Sequence, residues 1–469
     1  MKKISLLLAL ICCLASTLKA QPSNSLTLSE KFYGLSSFWS EANYNFVYMY
    51  KVDQVAWHAA YKQAIANIQT APDDYAYYRE LQKLCALLKD GHTQVYMPDS
   101  LQNLVMTTHF GPYRLFLSHI NGKVYVTNVN KSKENEIPLG SEIVKVNGLA
   151  TADYRDRYVA SYISSSTAQD LVVRASYNLL SGLAGAQYDL EIKTPSGQSK
   201  QFHLSHSNTK ELELSSMGTP HAGVFEFKWL PDSTAYVALR SFNDATVVEE
   251  FEAALPKLST AKRVVVDIRN NGGGSSKHAA NIAKYFVQGD SIYGARNYSR
   301  EIIPTERAIG SFLSAQDTVD GKAQWGLSKQ EATTLVKAYS GAKFHTLPYS
   351  PMAIQTRVKL RQPTAVLTNV HTASAAEDFL IYLYAQAHVV RVGDFTNGST
   401  GQPLQLSLPG NGSAWICTKK VTLPSGEEFV GYGIKPHKHA PQQLEDVLHP
   451  NISDTQLEAA LQYLAEKEI

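Results

Sequence analysis

The chain has 469 residues, with 44 Lys and Arg against 42 Asp and Glu and a hydrophobic fraction of 44%. This composition is that of a soluble globular protein, and it excludes a disordered or collagen-like chain. The near-neutral charge gives no support for a nucleic-acid partner. At roughly 100–200 residues per domain, the length predicts two to four domains.

Residues 1–20 have the organisation of a secretory signal peptide. Lys2 and Lys3 precede an apolar run, and small and polar residues then lead to Ala20, which suits a cleavage site. The run is too short to span a bilayer comfortably. We therefore expect export to the periplasm or the cell exterior, with no stable membrane insertion once the leader is removed. Removal takes away three Lys and no acid, so 41 Lys and Arg face 42 Asp and Glu and the net charge becomes −1.

Residues 25–105 are predicted to form an N-terminal helical region. Apolar residues recur at helical spacing between Tyr78 and Leu88, and Gly91 stands where a helix ends. The sequence after it alternates as a strand does. The segment Asp-Gly-His-Thr at 90–93 is therefore predicted as a helix-to-strand corner.

Cysteine usage indicates neither a disulfide framework nor a zinc site. Two of the four Cys leave with the signal peptide, and the remaining two, Cys85 and Cys417, are far apart in the sequence. Cys85 lies on the apolar face of a predicted helix, where we expect a buried thiol. The sequence has no His-Glu-x-x-His segment, and we expect no metal and no organic cofactor.

Residues 106–215 are predicted to form a small β-rich module. Residues 124–129 alternate after an Asn-Gly turn at 121–122, and residues 138–148 place a strand between two turns. Polar residues at 205–216 indicate a linker to the next region.

Residues 216–469 are predicted to form an α/β core. Its apolar strands alternate with helices, which is typical of a mostly parallel sheet covered by helices on both faces. The predicted strands are at 235–239, 263–268, 363–368 and 389–392. Near the end, residues 415–422 and 428–433 flank a Pro-Ser-Gly turn and predict a hairpin.

Two loops that follow core strands carry residues suited to catalysis. The run Asn-Asn-Gly-Gly-Gly at 270–274 can bring backbone N–H groups close to a ligand, because glycine has no side chain in the way. Ser374 stands at the start of a predicted helix, where free N–H groups and the helix dipole favour developing negative charge. The structural alternatives are a helix cap and a simple turn. The glycine run lacks the spacing of dinucleotide and P-loop motifs.

Five segments, in order along the chain, resemble motifs of the C-terminal processing, or tail-specific, serine peptidase family. They are Leu-Leu-Lys-Asp-Gly-His-Thr at 87–93, the strand and turns at 138–148, Val-Asp-Ile-Arg-Asn-Asn-Gly-Gly-Gly at 266–274, Thr-Ala-Ser-Ala-Ala-Glu at 372–377, and Phe-Val-Gly-Tyr-Gly-Ile-Lys-Pro at 429–436. The resemblance implies a ClpP/crotonase-like α/β catalytic core, a helical N-terminal region and a PDZ-like module. By position, Ser374 matches the nucleophile, and the backbone N–H groups of Gly273 and Ala375 match the oxyanion hole.

The general base departs from the best-known branch of the family. That branch has a lysine 25 residues after the serine, and here Ser399 occupies the position. The histidine-base branch, which includes the tricorn core protease, takes its base from the N-terminal region, and the Asp-Gly-His-Thr segment matches that element. His92 is therefore the candidate base, because an imidazole with a pKa of ~6.5 can accept a proton at neutral pH. His371, although nearer to Ser374 in the sequence, is predicted to point elsewhere.

A histidine base needs a partner that orients it, and the sequence leaves this partner open. In the histidine-base branch a glutamate precedes the Gly-x-Gly of the closing segment, but Val430 occupies that place here. Glu428, on the same face of the predicted strand, is the candidate acid, with Glu427 as a rival. The alternative is that Glu428 is a solvated hairpin acid. Glu377 is expected to favour the N-terminus of the helix after Ser374.

Together these features predict an exported serine endopeptidase that forms an acyl-enzyme on Ser374, with His92 as the base. Its expected partners are protein or peptide substrates, and the PDZ-like module is expected to hold a peptide by strand addition. Two alternatives stay open. They are a catalytically silent protein on the same fold that binds peptides or small ligands, and an esterase for small substrates.

Overall fold

The computed structural model describes residues 25–211, 213–216, 223–320, 324–450 and 452–466. The predicted signal peptide lies outside these residues. Within them, every helix is too short or too polar to cross a bilayer.

The N-terminal region folds into three consecutive helices, as its periodicity predicts. The helices are α1 (Leu28–Asn45), α2 (Gln54–Gln69) and α3 (Asp74–Ala86). A side-chain oxygen caps each first turn, supplied by Thr27, Asp53 and Asp73 respectively. Cys85 on the inner face of α3 is 1% exposed, which confirms the expected buried thiol.

The corner at residues 90–93 is attached to the core of the molecule. It leads from α3 into strand β1 (Gln94–Tyr96), which confirms the predicted helix-to-strand change, and a short helix α4 (Asp99–Gln102) follows. Strand β1 pairs antiparallel with a core strand, so that Gln94 lies opposite Trp415. The Cys417 N–H also donates a hydrogen bond to Thr93 Oγ1, at 3.0 Å. The histidine of the corner therefore has a fixed place beside the core.

The middle region forms a β-rich module with its own buried cluster. That cluster runs from Phe110 to Leu204 and shares no residue with the core clusters. The elements are β2 (Val105–Met106), β3 (His109–Phe110), β4 (Tyr113–Ile120), β5 (Lys123–Asn130), β6 (Glu142–Val146), β7 (Leu149–Ala150), α5 (Thr151–Tyr158), α6 (Ala168–Tyr177), β8 (Gly182–Leu183), β9 (Gln187–Lys193), β10 (Ser199–Ser205) and β11 (Leu214–Ser216). The main sheet has the order β10-β9-β6-β5-β4-β3. Its PDZ-like character stays a prediction.

The core contains the predicted α/β elements. The strands are β12 (Phe225–Leu230), β13 (Thr234–Leu239), β14 (Arg263–Asp267), β15 (Ser291–Ile292), β16 (Arg296–Arg300), β17 (Phe344–Thr346), β18 (Met352–Ala353), β19 (Thr364–Thr368), β20 (Val389–Gly393), β21 (Pro403–Leu408), β22 (Gly412–Cys417), β23 (Lys419–Thr422) and β24 (Lys438–His439). The helices are α7 (Thr246–Leu258), α8 (Ser276–Ala283), α9 (Pro304–Gly310), α10 (Asp317–Asp320), α11 (Lys329–Ser340), α12 (Ala375–Tyr382), α13 (Leu444–Leu448) and α14 (Thr455–Glu466).

The central sheet has the order β12-β13-β14-β19-β20-β24. All neighbouring strands are parallel except β12 and β13, which confirms the mostly parallel sheet. Alternate residues of β14 point to opposite faces: Val264 and Val266 join the cluster under α7, α8 and α12, whereas Val265 joins the cluster under α14. Because β14, β19 and β20 are adjacent and parallel, the loops that follow them emerge at one edge of the sheet.

The predicted hairpin near the end forms only in part. Strand β23 is present, but its partner is reduced to one bridge between Thr422 and Glu428. Residues 429–433 form a tight turn, with Gly431 and Gly433 both at positive φ. The prediction of a strand at 428–433 is wrong, because this backbone folds back instead of extending.

Candidate active site

Ser374 stands at the N-terminus of α12, in the loop that follows β19. Its backbone has φ +53° and ψ −120°, a conformation that residues with a Cβ rarely adopt. Strain of this kind costs on the order of 1–3 kcal/mol and persists only where the surrounding structure imposes it. The next residue, Ala375, is buried, and its N–H has no acceptor within the described part of the chain. A half-buried serine in a strained turn, beside a free buried N–H, is the arrangement that a nucleophile with an oxyanion donor requires.

The glycine run after β14 lies directly against Ser374. A Cβ built on Gly273 would come within 2.8 Å of Ser374 Cβ and 2.9 Å of the Ala375 nitrogen. Two hydrogen bonds between Asn270 and Asn369 join the two loops, one at 3.0 Å from the Asn270 N–H and one at 2.9 Å between the side chains. The sequence-predicted pair of loops is therefore one site.

The N–H groups predicted to form the oxyanion hole differ in their availability. The Ala375 N–H is unengaged, but the Gly273 N–H donates to Asn271 Oδ1 at 2.9 Å. Gly273 can therefore bind an oxyanion only when this hydrogen bond breaks or is shared.

His92 lies half-buried at the corner between α3 and β1. Its Nδ1 is 2.8 Å from Ser399 Oγ, and its backbone N–H donates to Asp90 Oδ1 at 3.0 Å. Burial, with a smaller contribution from the positive charge of Lys419, lowers the pKa of His92 to about 4. The imidazole is therefore neutral at pH 7 and can accept a proton.

Ser399 joins the histidine to the serine. Its Oγ contacts His92, and its carbonyl oxygen accepts the Ser374 N–H at 3.1 Å. It belongs to the loop after β20, which emerges beside the Ser374 loop at the same edge of the sheet. The position where the best-known branch places a lysine therefore supplies a hydroxyl to His92.

Glu377 holds the Ser374 and Ser399 loops together. Its buried carboxylate accepts the N–H groups of Ser374 (3.2 Å), Gly398 (2.8 Å) and Ser399 (3.1 Å) and the hydroxyl of Thr396 (2.5 Å). Burial raises the pKa of Glu377 to about 8, although these donors lower it. The predicted role at the start of α12 is confirmed by the bond to Ser374. The link to the neighbouring loop has no local signal in the sequence.

The structure does not bring Glu428 to His92. Its carboxylate pairs with Lys51 at 2.7 Å and with Lys420. Burial disfavours the charged form, but the two lysines outweigh it and hold the pKa of Glu428 below its usual value. The assignment of Glu428 as the acid for His92 is therefore corrected: it belongs to a separate ion cluster. Its rival Glu427 is exposed.

A cavity of about 670 Å³ extends from the serine loop to the β-rich module. Strand β4 and helix α6 of the module form one wall, and Asn270 and Asn369 belong to the opposite wall. His371, which the sequence predicts to point away from Ser374, is exposed in this cavity.

The described chain resembles solved structures over nearly its whole length. It is similar to mature CPAF in complex with lactacystin at 15% identity, covering 94% of this chain and 97% of that chain, with a TM-score of 0.65. It is similar to a putative peptidase from Parabacteroides merdae at 18% identity, with the same coverages and a TM-score of 0.51. At these identities the likeness establishes the fold. No curated protein matches the chain in sequence.

The family whose model matches the core is one of serine peptidases, and the pair of loops at the sheet edge agrees with this class. Residues 233–440 match the model of peptidase family S41. The similarity to this family covers part of the α/β core, and it agrees with the resemblance drawn from the five sequence segments.

Proposed function

We propose that the chain is an exported serine endopeptidase with Ser374 as nucleophile and His92 as general base. The observation that carries this proposal is that Ser399 bonds to both residues, through its hydroxyl to His92 and through its carbonyl to Ser374. His92 comes from the N-terminal region and Ser374 from the core, so the contact of Ser399 with both residues depends on the tertiary structure. A serine that only caps a helix does not require a link to a histidine.

The proposed reaction is acyl transfer. Ser374 Oγ attacks the substrate carbonyl carbon as His92 takes the hydroxyl proton. The tetrahedral oxyanion is bound by the Ala375 N–H, with Gly273 as second donor once its bond to Asn271 yields. His92 then gives the proton to the leaving amine, and water hydrolyses the acyl-enzyme by the same route. One oxyanion donor typically contributes ~10²–10³ in rate.

The cavity beside the serine loop supports a peptide substrate. An extended peptide that pairs with the edge of the module would satisfy its own backbone groups and reach the serine loop along this cavity. The leader-like residues 1–20 support export, which places the substrates outside the cytoplasm.

A fluorophosphonate probe tests the nucleophile and the base separately. We expect the purified wild-type protein to be labelled, Ser374→Ala not to be labelled, and His92→Ala to be labelled at least ~10²-fold more slowly, the scale that general-base assistance contributes. If the wild type does not react under conditions in which a control peptidase reacts, the proposed enzymatic activity is contradicted. If His92→Ala is labelled at the wild-type rate, the assignment of His92 as the base is contradicted, but that of Ser374 as the nucleophile is not.

A second assay compares unfolded protein substrates with small esters. We expect the protein substrates to be cleaved internally. Turnover of esters alone, with intact protein substrates, favours the esterase alternative.

A further inference from the structure

Ser399 occupies a buried position between the two proposed reacting groups, and the reaction as written above does not use it. The residue is 3% exposed, and its Oγ lies 2.8 Å from His92 Nδ1. A hydrogen bond at this ring nitrogen decides which nitrogen carries the proton and how the ring is turned.

We propose that Ser399 is the positioning residue for His92, taking the place that a carboxylate takes in a Ser-His-Asp triad. The proposal rests on the proposed function. His92 Nδ1–H donates to Ser399 Oγ, and the lone pair on Nε2 is then available to accept the Ser374 proton. A hydroxyl can donate as well as accept, so the acceptor role of Ser399 Oγ is part of what we propose. In this role the neutral hydroxyl holds the ring orientation but adds no negative charge.

The acids near the site form no hydrogen bond to the His92 ring within the described residues, although Asp90 Oδ2 is buried without a partner there. Asp90 Oδ1 accepts the backbone N–H of His92 at 3.0 Å and the Thr93 hydroxyl at 2.9 Å. Glu377 and Glu428 bind the loops and the lysines described above. Within the described residues, Ser399 is therefore the side chain that bonds to the His92 ring.

Ser399 is itself held at both ends of its backbone. Its N–H donates to Glu377 Oε2 at 3.1 Å, and its carbonyl accepts the Ser374 N–H at 3.1 Å. The same residue thereby sets the position of the nucleophile's backbone and that of the base's ring. Glu377 acts through it, as a second positioning residue.

The space for the Ser399 hydroxyl comes from Gly91. A Cβ built on Gly91 would lie 2.5 Å from Ser399 Oγ, and Gly91 has no positive φ, so its backbone accepts alanine. Gly91→Ala therefore displaces the hydroxyl without altering His92, Ser374 or Ser399 itself.

The test measures peptidase kinetics and the tautomer of His92 in the full chain. We expect Ser399→Ala to lower kcat by ~10- to 100-fold, the cost of misplacing a reacting group, with KM nearly unchanged. We expect Gly91→Ala to lower kcat as well. Ser399→Thr keeps the hydroxyl and should retain most of the wild-type activity. Thr400→Val, which removes the neighbouring buried hydroxyl, serves as the matched control.

Nitrogen NMR of ¹⁵N-histidine-labelled protein separates positioning from a structural role. The His92 signal, assigned by its loss in His92→Ala, should show the proton on Nδ1 in the wild type and a mixture of tautomers in Ser399→Ala. Unchanged kcat in a folded Ser399→Ala, or a wild-type proton on Nε2, overturns the inference. An unreactive wild type in the fluorophosphonate assay overturns the proposed function instead, so the two failures are distinguishable.

Discussion

Two adjacent glycines in the loop after β14 differ in what a methyl group would meet. At Gly273, with φ +101°, a Cβ would press against Ser374 and Ala375, whereas at Gly272 it would meet nothing within 4 Å. We expect Gly273→Ala to lower kcat/KM at least ~10²-fold, the scale of a lost oxyanion donor, and to cost about 1–3 kcal/mol of stability. Gly272→Ala should stay within threefold of the wild type, and steady-state kinetics with thermal melting measure both. Equal losses in the two variants would contradict the proposed role of Gly273 beside Ser374.

His92 should govern the acidic limb of the pH profile. Burial and Lys419 lower its pKa to about 4. A base acts in its neutral form, so kcat/KM should rise as the pH passes upward through about 4 and then level off.

Three groups near His92 bear on this profile. Lys419→Gln removes the positive charge, so the pKa of His92 should rise and the acidic limb should move to higher pH. Asp90, whose pKa burial raises to about 6, also titrates nearby, and burial keeps Cys417 in its neutral thiol form. An acidic limb with its midpoint near pH 6, unchanged in Lys419→Gln, would assign the ionisation to Asp90 instead of His92.

At the scale of elements, the C-terminal helix is fastened to the strand that leads into the glycine loop. Arg269, two residues past β14 and close before that loop, donates two hydrogen bonds of 2.8 Å to Asp454, and a further one of 2.7 Å to Asp267. Asp454 Oδ1 also accepts the Leu457 N–H at the start of α14. The network joins the C-terminal helix to the edge of the sheet where the site lies.

Loss of the Asp454 charge tests this network. Asp454→Asn keeps an oxygen for the cap of α14 but weakens the ion pair, and we expect a loss of about 1–3 kcal/mol, the range for hydrogen bonds to charged groups. Glu458→Gln, an exposed acid on the same helix, should change stability by less than about 0.5 kcal/mol. Urea unfolding measures both. A smaller loss of unfolding free energy in Asp454→Asn than in Glu458→Gln would contradict a stabilising role for the Arg269–Asp454 pair.

At the scale of the molecule, the N-terminal helices and the core share one buried cluster, whereas the β-rich module has its own. Leu81 of α3 lies in the shared cluster and Leu190 of β9 in the module, both fully buried. Replacing either with alanine should cost about 2–5 kcal/mol. Leu81→Ala should lower hydrogen-exchange protection in α3 and in the core strands together, and Leu190→Ala in the module alone. Loss of protection confined to α3 in Leu81→Ala would show that the helices and the core unfold separately.

Much of this architecture could be predicted from local patterns. The apolar strands of the core, the helix periodicity around Cys85 and the corner at 90–93 all follow from side-chain alternation within short windows. The predicted strand at 428–433 failed because its apolar residues are buried by a turn at Gly431 and Gly433, and a buried turn shows the same hydrophobicity as a short strand.

The orienting partner of His92 could not be predicted in the same way. The local pattern favours Glu428 as the acid, but the structure pairs Glu428 with Lys51 and Lys420. Ser399 carries no local signal, since one hydroxyl in a polar loop has the same pattern whether or not it contacts a ring. Its position 25 residues after Ser374 shows in the sequence only that the lysine of the best-known branch is absent.

The sequence by itself determined the fold class and the order of the elements, and it predicted Ser374, His92 and the glycine loop as the site, because each belongs to a short motif with its own pattern. Tertiary structure decided how these pieces meet. His92 and Ser399 are 307 residues apart in the chain, and their contact depends on β1 pairing with β22 and on β20 lying beside β19. Strand pairing of this kind is set by the packing of the whole core, which no local window contains.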